Sequence, residues 1–366
     1  MISIFILVFL LSLFVKSKKG KLNKKENDVS LIMTLIIVLL LSLLSGLRSS
    51  IGDTGYYLYS YKYIIPNTSE IISAKDWGYI LMQRILLYFK FNSQMYLILI
   101  ALITIFSIIL TLKKYSVSFS TSLFIFICSG IYISTMNGMR QYLVASIVFA
   151  ATTLIIKNKP ILYIILIIIL STIHSSVLIM IPVYFIVKKR AWSKSIVVFT
   201  FIFLTIFVLF NSLFKYFSVV LSSTQYEGYV NTFGSEDYAG VNILRILVAL
   251  VPVTLSFILR NKIKSTEWNI YDLCTNFSLL NFFMILLGSY NWIFARIAIY
   301  FDFYNLLLIP LLLWNIDKKN RMLLLFILMV CYVLFLREEL QPYIYTSYYL
   351  KINEEFIGPL TRIVYD

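Results

Sequence analysis

Long, almost uninterrupted apolar segments dominate the hydrophobic pattern of the chain. They include residues 31–47, 94–112, 195–214 and 240–259. An apolar run of about 17–25 residues is long enough to cross a bilayer as an α-helix, whereas a membrane β-strand would alternate in polarity over only about 10 residues. The pattern therefore predicts an all-α, polytopic transmembrane helical bundle that forms a single integral membrane domain over residues 1–366.

Charged and polar breaks divide this pattern into ten full spans and one short helical hairpin at residues 160–187, which lysines flank on both sides. The apolar stretch 79–89 is interrupted by Arg84 and is predicted to be an external interfacial helix. The full spans are predicted at residues 1–15, 29–47, 94–112, 117–135, 139–156, 195–214, 240–259, 270–289, 297–315 and 322–336.

Composition supports a membrane protein and excludes several other classes. The 366 residues are 60% hydrophobic and only 13% charged, whereas a soluble domain is about 25% charged. This balance excludes a soluble enzyme, a nucleic-acid-binding domain, a disulfide-rich secreted protein and a disordered chain. The three cysteines lie apart in apolar runs without metal-ligand spacing, so neither a metal nor another cofactor is expected.

The net charge of +15 indicates how the chain is oriented. The predicted inner segments hold 20 of the 32 basic residues and 5 of the 17 acidic ones, as the preference of Lys and Arg for cytoplasmic loops requires. Because the inner segments carry the whole positive surplus, no nucleic-acid partner is expected. This orientation places the loops 48–92 and 215–238, the tail 337–366 and both termini on the external side.

Arginine is concentrated on the external side. Inner basic residues are 17 Lys and 3 Arg, whereas outer ones are 5 Lys and 7 Arg. A guanidinium can bind phosphate or carboxylate oxygens through two parallel hydrogen bonds, which an ammonium cannot. The outer boundary is therefore predicted to recognise an anion such as a lipid phosphate. The outer arginines are Arg48, Arg84, Arg140, Arg245, Arg296, Arg337 and Arg362.

Four polar clusters on the predicted external side could carry chemistry. They follow the second span, form a corner before the fifth, occupy the bend of the hairpin and precede the ninth span. The bend contains the chain's only histidine, and ionisable residues within a membrane are candidates for function. The candidate residues, with one arginine of the seventh span, are Arg48, Asp53, Tyr56, Asn137, Arg140, Gln141, His174, Arg245, Arg296 and Tyr300.

In their order and spacing, these motifs resemble the EpsG-type branch of the Wzy polysaccharide polymerases. The resemblance implies an enzyme at the external face of the bacterial cytoplasmic membrane, acting on oligosaccharide repeat units carried on undecaprenyl diphosphate. It joins them by glycosyl transfer with the lipid diphosphate as leaving group. The residues that carry the resemblance are Arg48…Gly52-Asp53-Thr54…Tyr56, Asn137…Arg140-Gln141, His174-Ser175-Ser176 and Arg296…Tyr300-Phe301…Pro310.

The resemblance also suggests roles for the catalytic candidates. Arg140 and Arg296 would hold the donor diphosphate and stabilise the charge that develops as it leaves. Arg48 and Arg245 are further candidates for this binding. Either His174 or Asp53 would accept the proton of the attacking hydroxyl, and the sequence does not decide between them. The remaining substrate-binding candidates are Asn137, Gln141, Tyr56 and Tyr300.

Two other functions fit the same sequence. An O-antigen ligase of related architecture would use the same chemistry, and a flippase or transporter would move a lipid-linked saccharide without forming a bond. The concentration of arginine on one side favours an enzyme over a transport path. The expected partners are the lipid bilayer and the undecaprenyl-diphosphate-linked oligosaccharide, and a chain-length regulator and a flippase of the same pathway are further partners to test.

Overall fold

The computed structural model describes residues 2–16, 24–67, 76–210, 212, 240–263, 268–340, 344–350 and 352–355. The secondary structure of these residues is helical apart from one small sheet and the connecting turns and loops. The helices are α1 (Ile2–Ser12), α2 (Lys24–Gly46), α3 (Thr54–Tyr59), α4 (Trp77–Tyr88), α5 (Ser93–Tyr115), α6 (Phe119–Cys128), α7 (Ile131–Asn137), α8 (Met139–Ala150), α9 (Thr152–Ile156), α10 (Pro160–Ser171), α11 (Met180–Val187), α12 (Lys194–Val208), α13 (Ile243–Leu259), α14 (Trp268–Leu287), α15 (Trp292–Asp302), α16 (Asn305–Trp314) and α17 (Lys318–Leu340), and the strands are β1 (Ile344–Ser347) and β2 (Ile352–Glu355).

Two compact units make up the chain. The first combines residues Met1–Ile179 with Ile316–Asp366, and the second comprises Met180–Asn315. The prediction that the whole chain forms one membrane domain stays a prediction.

Helix α5 lies at the centre of the first unit, between α2 and α8. Apolar side chains recur along it, so that Ile100, Ile105 and Ile108 are fully buried. A π-helical turn, Ser60–Ile64, and a 3-10 turn, Ile65–Asn67, extend α3. Another 3-10 turn, Ser175–Ile179, packs back against α10, which agrees with the predicted bend of the chain between residues 171 and 176.

Helix α14 has the corresponding place in the second unit, where it contacts α11, α12, α13, α15 and α16. Aromatic stacking fills much of the interior. The rings of Phe203 and Phe283 lie 4.0 Å apart between centroids, and those of Phe277 and Tyr304 lie 3.6 Å apart. Such pairs add to the stability that burial of apolar area provides.

The described residues contain six helices that are long and apolar enough to cross a membrane, or up to eight if each of two bent pairs counts as one span. The polytopic prediction is thus confirmed, but the count of ten spans is not. Helix α1 has only 11 residues and the described part of α12 has 15, which is short for a bilayer about 30 Å thick.

The two bent pairs correspond to the predicted fourth and ninth spans. Helices α6 and α7 meet at 53° and α15 and α16 at 55°. Gly130, with φ of 78°, provides the left-handed residue at the first bend. The ninth span was predicted to begin at residue 297, but the helix begins at Trp292, so Arg296 lies inside a helix and not in front of one.

Several loop predictions are only partly testable. The stretch predicted as an interfacial helix at 79–89 is helical, as α4, and its placement at an interface stays a prediction. The external loop 215–238 lies outside the described residues, as do parts of the loop 48–92 and of the tail 337–366.

A small antiparallel sheet within the predicted tail was not expected. Strands β1 and β2 pair with Tyr345 opposite Glu354. The buried hydroxyl of Tyr345 donates to the carbonyl of Leu44 at 2.7 Å, and Ser347 Oγ donates to Leu47 O at 2.6 Å. Carbonyls in the last turn of a helix lack partners within the helix, so this sheet caps the end of α2.

We expect Tyr345→Phe to lower the stability of the first unit by about 1 kcal/mol, because it leaves a buried carbonyl without its donor. Thermal unfolding of the purified protein in detergent measures the effect. Tyr348→Phe is the matched control, since that side chain is 84% exposed. Equal unfolding midpoints for the two variants would show that the cap contributes nothing.

Candidate functional site

The guanidinium of Arg48 is buried and joins three segments of the first unit. Its side chain is only 1% exposed. Nε donates to Thr54 Oγ1 at 2.9 Å, Nη1 to Ser45 O and Nη2 to Met136 O at 3.0 Å. Burial lowers the pKa of Arg48 to about 10, so the group remains charged at neutral pH. These contacts hold the end of α2, the start of α3 and the end of α7 together.

A second contact connects the loop before α3 with the corner between α7 and α8. The Asp53 N–H donates to Asn137 Oδ1 at 3.1 Å. Gly52 lies directly against this amide with φ of 47°, and a Cβ at that position would overlap the Asn137 side chain. Gly52 is therefore required both for its backbone conformation and for the close approach of the loop to the corner before α8.

Asp76 is the residue on which two of the candidate catalytic side chains, Arg140 and His174, converge. Its Oδ2 lies 3.3 Å from Arg140 Nη1 and 3.8 Å from His174 Nδ1. Its Oδ1 accepts a hydrogen bond from the Ser175 N–H at 3.2 Å. One carboxylate thus holds the start of α8 and the bend after α10, and the His174 contact is an ion pair whenever the imidazole is protonated.

The backbone conformation around Asp76 allows its carboxylate to make these contacts. Asp76 has φ of 61°, in the left-handed region that aspartate tolerates better than most residues. Two residues later, the Gly78 N–H donates to Thr172 O at 2.9 Å. A Cβ on Gly78 would come within 2.7 Å of Thr172 Cβ, so only glycine allows α4 to approach the bend so closely.

An aromatic cluster supports the site from within. The Arg140 guanidinium lies 5.3 Å from the ring centroid of Tyr79, and the Tyr79 and Tyr96 hydroxyls hydrogen-bond each other. Gln83 Nε2 donates to the Tyr96 hydroxyl at 3.2 Å. Tyr57 belongs to the same buried cluster and contacts Arg140 through its hydroxyl. Because these rings come from α3, α4 and α5, the position of Arg140 depends on the core of the unit.

Electrostatics favour the ionised form of Asp76. Burial by itself raises the pKa of an aspartate, but His174, the Ser175 N–H and Arg140 together hold the pKa of Asp76 below its ordinary value. The exposed fractions of the side chains are 9% for Asp76, 23% for His174 and 35% for Arg140. The site is thus a partly open cluster with a carboxylate at its centre that is ionised at neutral pH.

The structure brings most of the predicted site residues of the first unit into one region. His174 and Arg140 meet at Asp76, and Asn137 and Asp53 meet one turn away from Arg140. Tyr56 is 60% exposed, whereas Gln141 is buried. Arg48 is buried and its donors bind protein acceptors, as expected for a residue that stabilises the fold. Its contact with substrate stays a prediction.

The predicted residues of the second unit occupy different environments. Arg296 is exposed on α15, with its guanidinium 4.3 Å from the ring centroid of Trp292. Arg245 is exposed near the start of α13, and Tyr300 is only 1% exposed. A role for these three residues beside Arg140 and His174 stays a prediction.

Asp76, Gly78 and the Tyr79–Gln83–Tyr96 network are the parts of the site that sequence reasoning missed. Asp76 is separated from Arg140 by 64 residues and from Ser175 by 99. In the sequence, Asp76 is only an aspartate directly before a helix, which is a common position for a helix cap and does not indicate a functional site. Among the described residues, no three His, Cys, Asp or Glu side chains converge as metal ligands.

Comparison with known protein families assigns the chain. The model of the EpsG family matches residues 31–340, which include every candidate residue from Arg48 to Tyr300. The chain belongs to the EpsG family. This membership confirms the resemblance drawn from the motifs and indicates a role of the polysaccharide-polymerase type. No curated protein and no solved structure matches this EpsG-family chain.

For this EpsG-family chain we expect the stabilising contribution of Asp76 to depend on pH. Its pKa is lowered in the folded state, so the contribution is complete above the ordinary aspartate value of 3.8 and is lost as the pH falls through the lower folded value. Asp76→Asn should therefore unfold at a lower temperature than the parent at neutral pH, and the gap should close in acid.

Thermal unfolding midpoints measured from neutral to acid pH test this expectation. Asp53→Asn is the matched control, because it removes an exposed carboxylate from the neighbouring loop. A gap between parent and Asp76→Asn that stays constant with pH would contradict the assignment of Asp76 as the ionised centre.

Proposed function

We propose that the protein is a glycosyl-transferring polymerase at the external face of the bacterial cytoplasmic membrane. It joins oligosaccharide repeat units carried on undecaprenyl diphosphate, and the lipid diphosphate of the growing chain is the leaving group. The observation that carries the proposal is the convergence of Arg140 and His174 on Asp76. An anion-binding group and a proton acceptor lie side by side, as transfer from a diphosphate to a hydroxyl requires.

Arg140 is the group proposed to act on the donor. The acceptor oxygen attacks the anomeric carbon of the donor sugar while the bond from that carbon to the diphosphate oxygen breaks. The bonding electrons leave with the diphosphate, which gains negative charge. A guanidinium is permanently charged and can bind two of its oxygens at once. Asp76 and Tyr79 orient Arg140 before substrate binds, so little reorganisation is needed during the reaction.

His174 is the group proposed to act on the acceptor. Its Nδ1 faces Asp76, and Nε2 lies on the other side of the imidazole ring. In this arrangement Nε2 takes the proton of the attacking hydroxyl, and the Asp76 carboxylate stabilises the imidazolium that forms. Asp53 remains the alternative base, because its exposed side chain lies on the loop that contacts Asn137, three residues before Arg140.

Exposed aromatic side chains near the site suit the sugar units. Tyr56, Tyr59 and Tyr63 are 60%, 58% and 49% exposed, and Trp77 is 40% exposed. Aromatic faces bind the apolar C–H surfaces of sugars, and the tyrosine hydroxyls add polar contacts. We therefore expect the acceptor or donor saccharide to lie across α3 and the start of α4.

A reconstituted reaction tests the proposal. Purified protein in lipid vesicles is supplied with the lipid-linked repeat unit, and the products are separated by size. A ladder of products is expected. Transfer of a single chain to a different lipid acceptor would indicate a ligase instead. Movement of the saccharide across the membrane without bond formation would indicate a flippase.

We expect His174→Gln to lower the turnover rate by about 10²–10⁴-fold, the range associated with loss of a positioned general base. Binding of the lipid-linked unit should change little, because glutamine retains hydrogen-bonding groups but cannot accept the proton at neutral pH. Product ladders and equilibrium binding measure the two effects separately. Normal ladders from His174→Gln together with inactive Asp53→Asn would transfer the role of base to Asp53.

We expect Arg140→Lys to lose most of the polymerising activity and Arg140→Ala to lose all of it, with the protein still present in the membrane. Lysine keeps the charge but loses the two-pronged contact with the diphosphate. Ladders are compared at equal protein amounts, with Arg337→Ala as a control that removes an exposed arginine from α17. Full activity in Arg140→Lys would show that charge alone is needed.

A further inference from the structure

A cavity in the second unit is lined by none of the candidate residues described above. It has a volume of about 420 Å³, within the size range of small-molecule sites. The segment 190–193 between α11 and α12, the turn after α13 and the first turn of α14 form its walls. It therefore lies at the ends of four helices, on the side that the charge pattern predicts to be cytoplasmic.

Two arginines place positive charge in the wall of this cavity. Arg190 and Arg260 line it, and both are exposed. Arg260 is held in place, since its Nη1 donates to Phe257 O at 2.7 Å and its guanidinium lies 4.0 Å from the Phe257 ring centroid. Guanidinium groups fixed in this way suit phosphate oxygens better than mobile ammonium groups do.

The start of α12 adds a second anion-binding element. Ser193 is the N-cap residue of this 15-residue helix, but its side chain forms no capping hydrogen bond. Its Oγ is buried and has no hydrogen-bond partner among the residues that the structure describes. A helix N-terminus attracts anions through its N–H groups and its dipole, and a serine hydroxyl that makes no capping bond can contribute one more donor.

Backbone geometry keeps these groups in place. Trp192 adopts φ of 58°, which is uncommon for a residue other than glycine. Its ring packs edge-to-face on Phe257 at 5.0 Å between centroids, and the adjacent Ala191 N–H donates to Asp272 Oδ1 at 2.9 Å. The segment 190–193 is thus fixed by both of its central residues, which sets the shape of the cavity wall.

We propose that this cavity is a binding site for a phosphate-bearing anion, either the headgroup of an anionic phospholipid or free phosphate. Arg190, Arg260 and Ser193 would bind the phosphate oxygens. Asp272, also in the wall, limits the positive charge and favours singly charged headgroups. The proposal does not depend on the polymerase activity, because the residues involved are separate from those assigned to it.

Binding to the full-length protein in detergent tests the proposal. The probes are short-chain phosphatidylglycerol, the matching phosphatidylcholine and inorganic phosphate, and the readouts are native mass spectrometry and the thermal unfolding midpoint. Phosphatidylglycerol should bind and raise the midpoint, whereas phosphatidylcholine should not. Arg190→Gln and Arg260→Gln should each weaken this binding about tenfold, as expected for loss of a charged hydrogen-bond donor.

Matched variants distinguish anion binding at this site from attraction to surface charge in general. Lys262→Gln removes an exposed charge two residues from Arg260 outside the cavity wall, and it should leave binding unchanged. Asp272→Asn should strengthen binding, a result that misfolding cannot produce. Binding of inorganic phosphate that the two arginine variants weaken would support the free-phosphate form of the site. Equal losses in Lys262→Gln, or no binding of either phosphate probe, would overturn the proposal.

Discussion

Burial of the Arg48 charge is the constraint on which the arrangement of the first unit depends. A charged group removed from water is tolerated only when its donors are engaged. Those of Arg48 are used by Ser45 O, Thr54 Oγ1 and Met136 O. Ser45 and Thr54 lie within six residues of Arg48, but Met136 is 88 residues away, so the end of α7 must meet the loop after α2 for the charge to be accommodated. The requirement sets the position of the corner from which α8, and with it Arg140, begins.

A second charge extends this arrangement to the bend after α10. Asp76 is ionised and partly buried, and its partners are Arg140, His174 and the Ser175 N–H. Its left-handed backbone conformation costs free energy that the surrounding contacts must offset, and such strain is concentrated at functional sites. The cost is acceptable here because one carboxylate orients a permanent cation and a titratable base at the same time.

The sequence revealed the membrane-spanning helices and the polar motifs, because both are local patterns. Continuous apolar runs specify a helix directly, since a backbone in lipid must satisfy its own hydrogen bonds. Arg48, Arg140 and His174 could be singled out because a charge within an apolar run is conspicuous. The number of spans was less accessible, because a bend such as that at Gly130 or Phe303 interrupts a helix without changing its hydrophobicity.

What the sequence could not show is which polar residues meet. Asp76 lies in a polar loop where an aspartate is ordinary, and only the fold reveals that it faces Arg140 on α8 and His174 in the bend after α10. The cap formed by Tyr345 on Leu44 was hidden for the same reason, since 301 residues separate the two. The burial of individual polar side chains could not be predicted from the sequence either. Arg48 and Tyr300 are candidate substrate-binding residues by their sequence, yet each is only 1% exposed.

The arginines of the predicted external side do not share one role. Arg48 and Arg140 nevertheless depend on the same property, the planar guanidinium with its several donors. Arg48 uses all three nitrogens of its guanidinium at a buried junction, whereas Arg140 places the same group on a carboxylate with a third of its side chain exposed. Lysine could do neither, because its ammonium offers no planar, two-pronged arrangement of donors. The preference for arginine over lysine on the predicted external side fits a need for fixed geometry at a site, whereas the lysines of the predicted inner loops need only their charge to orient the chain.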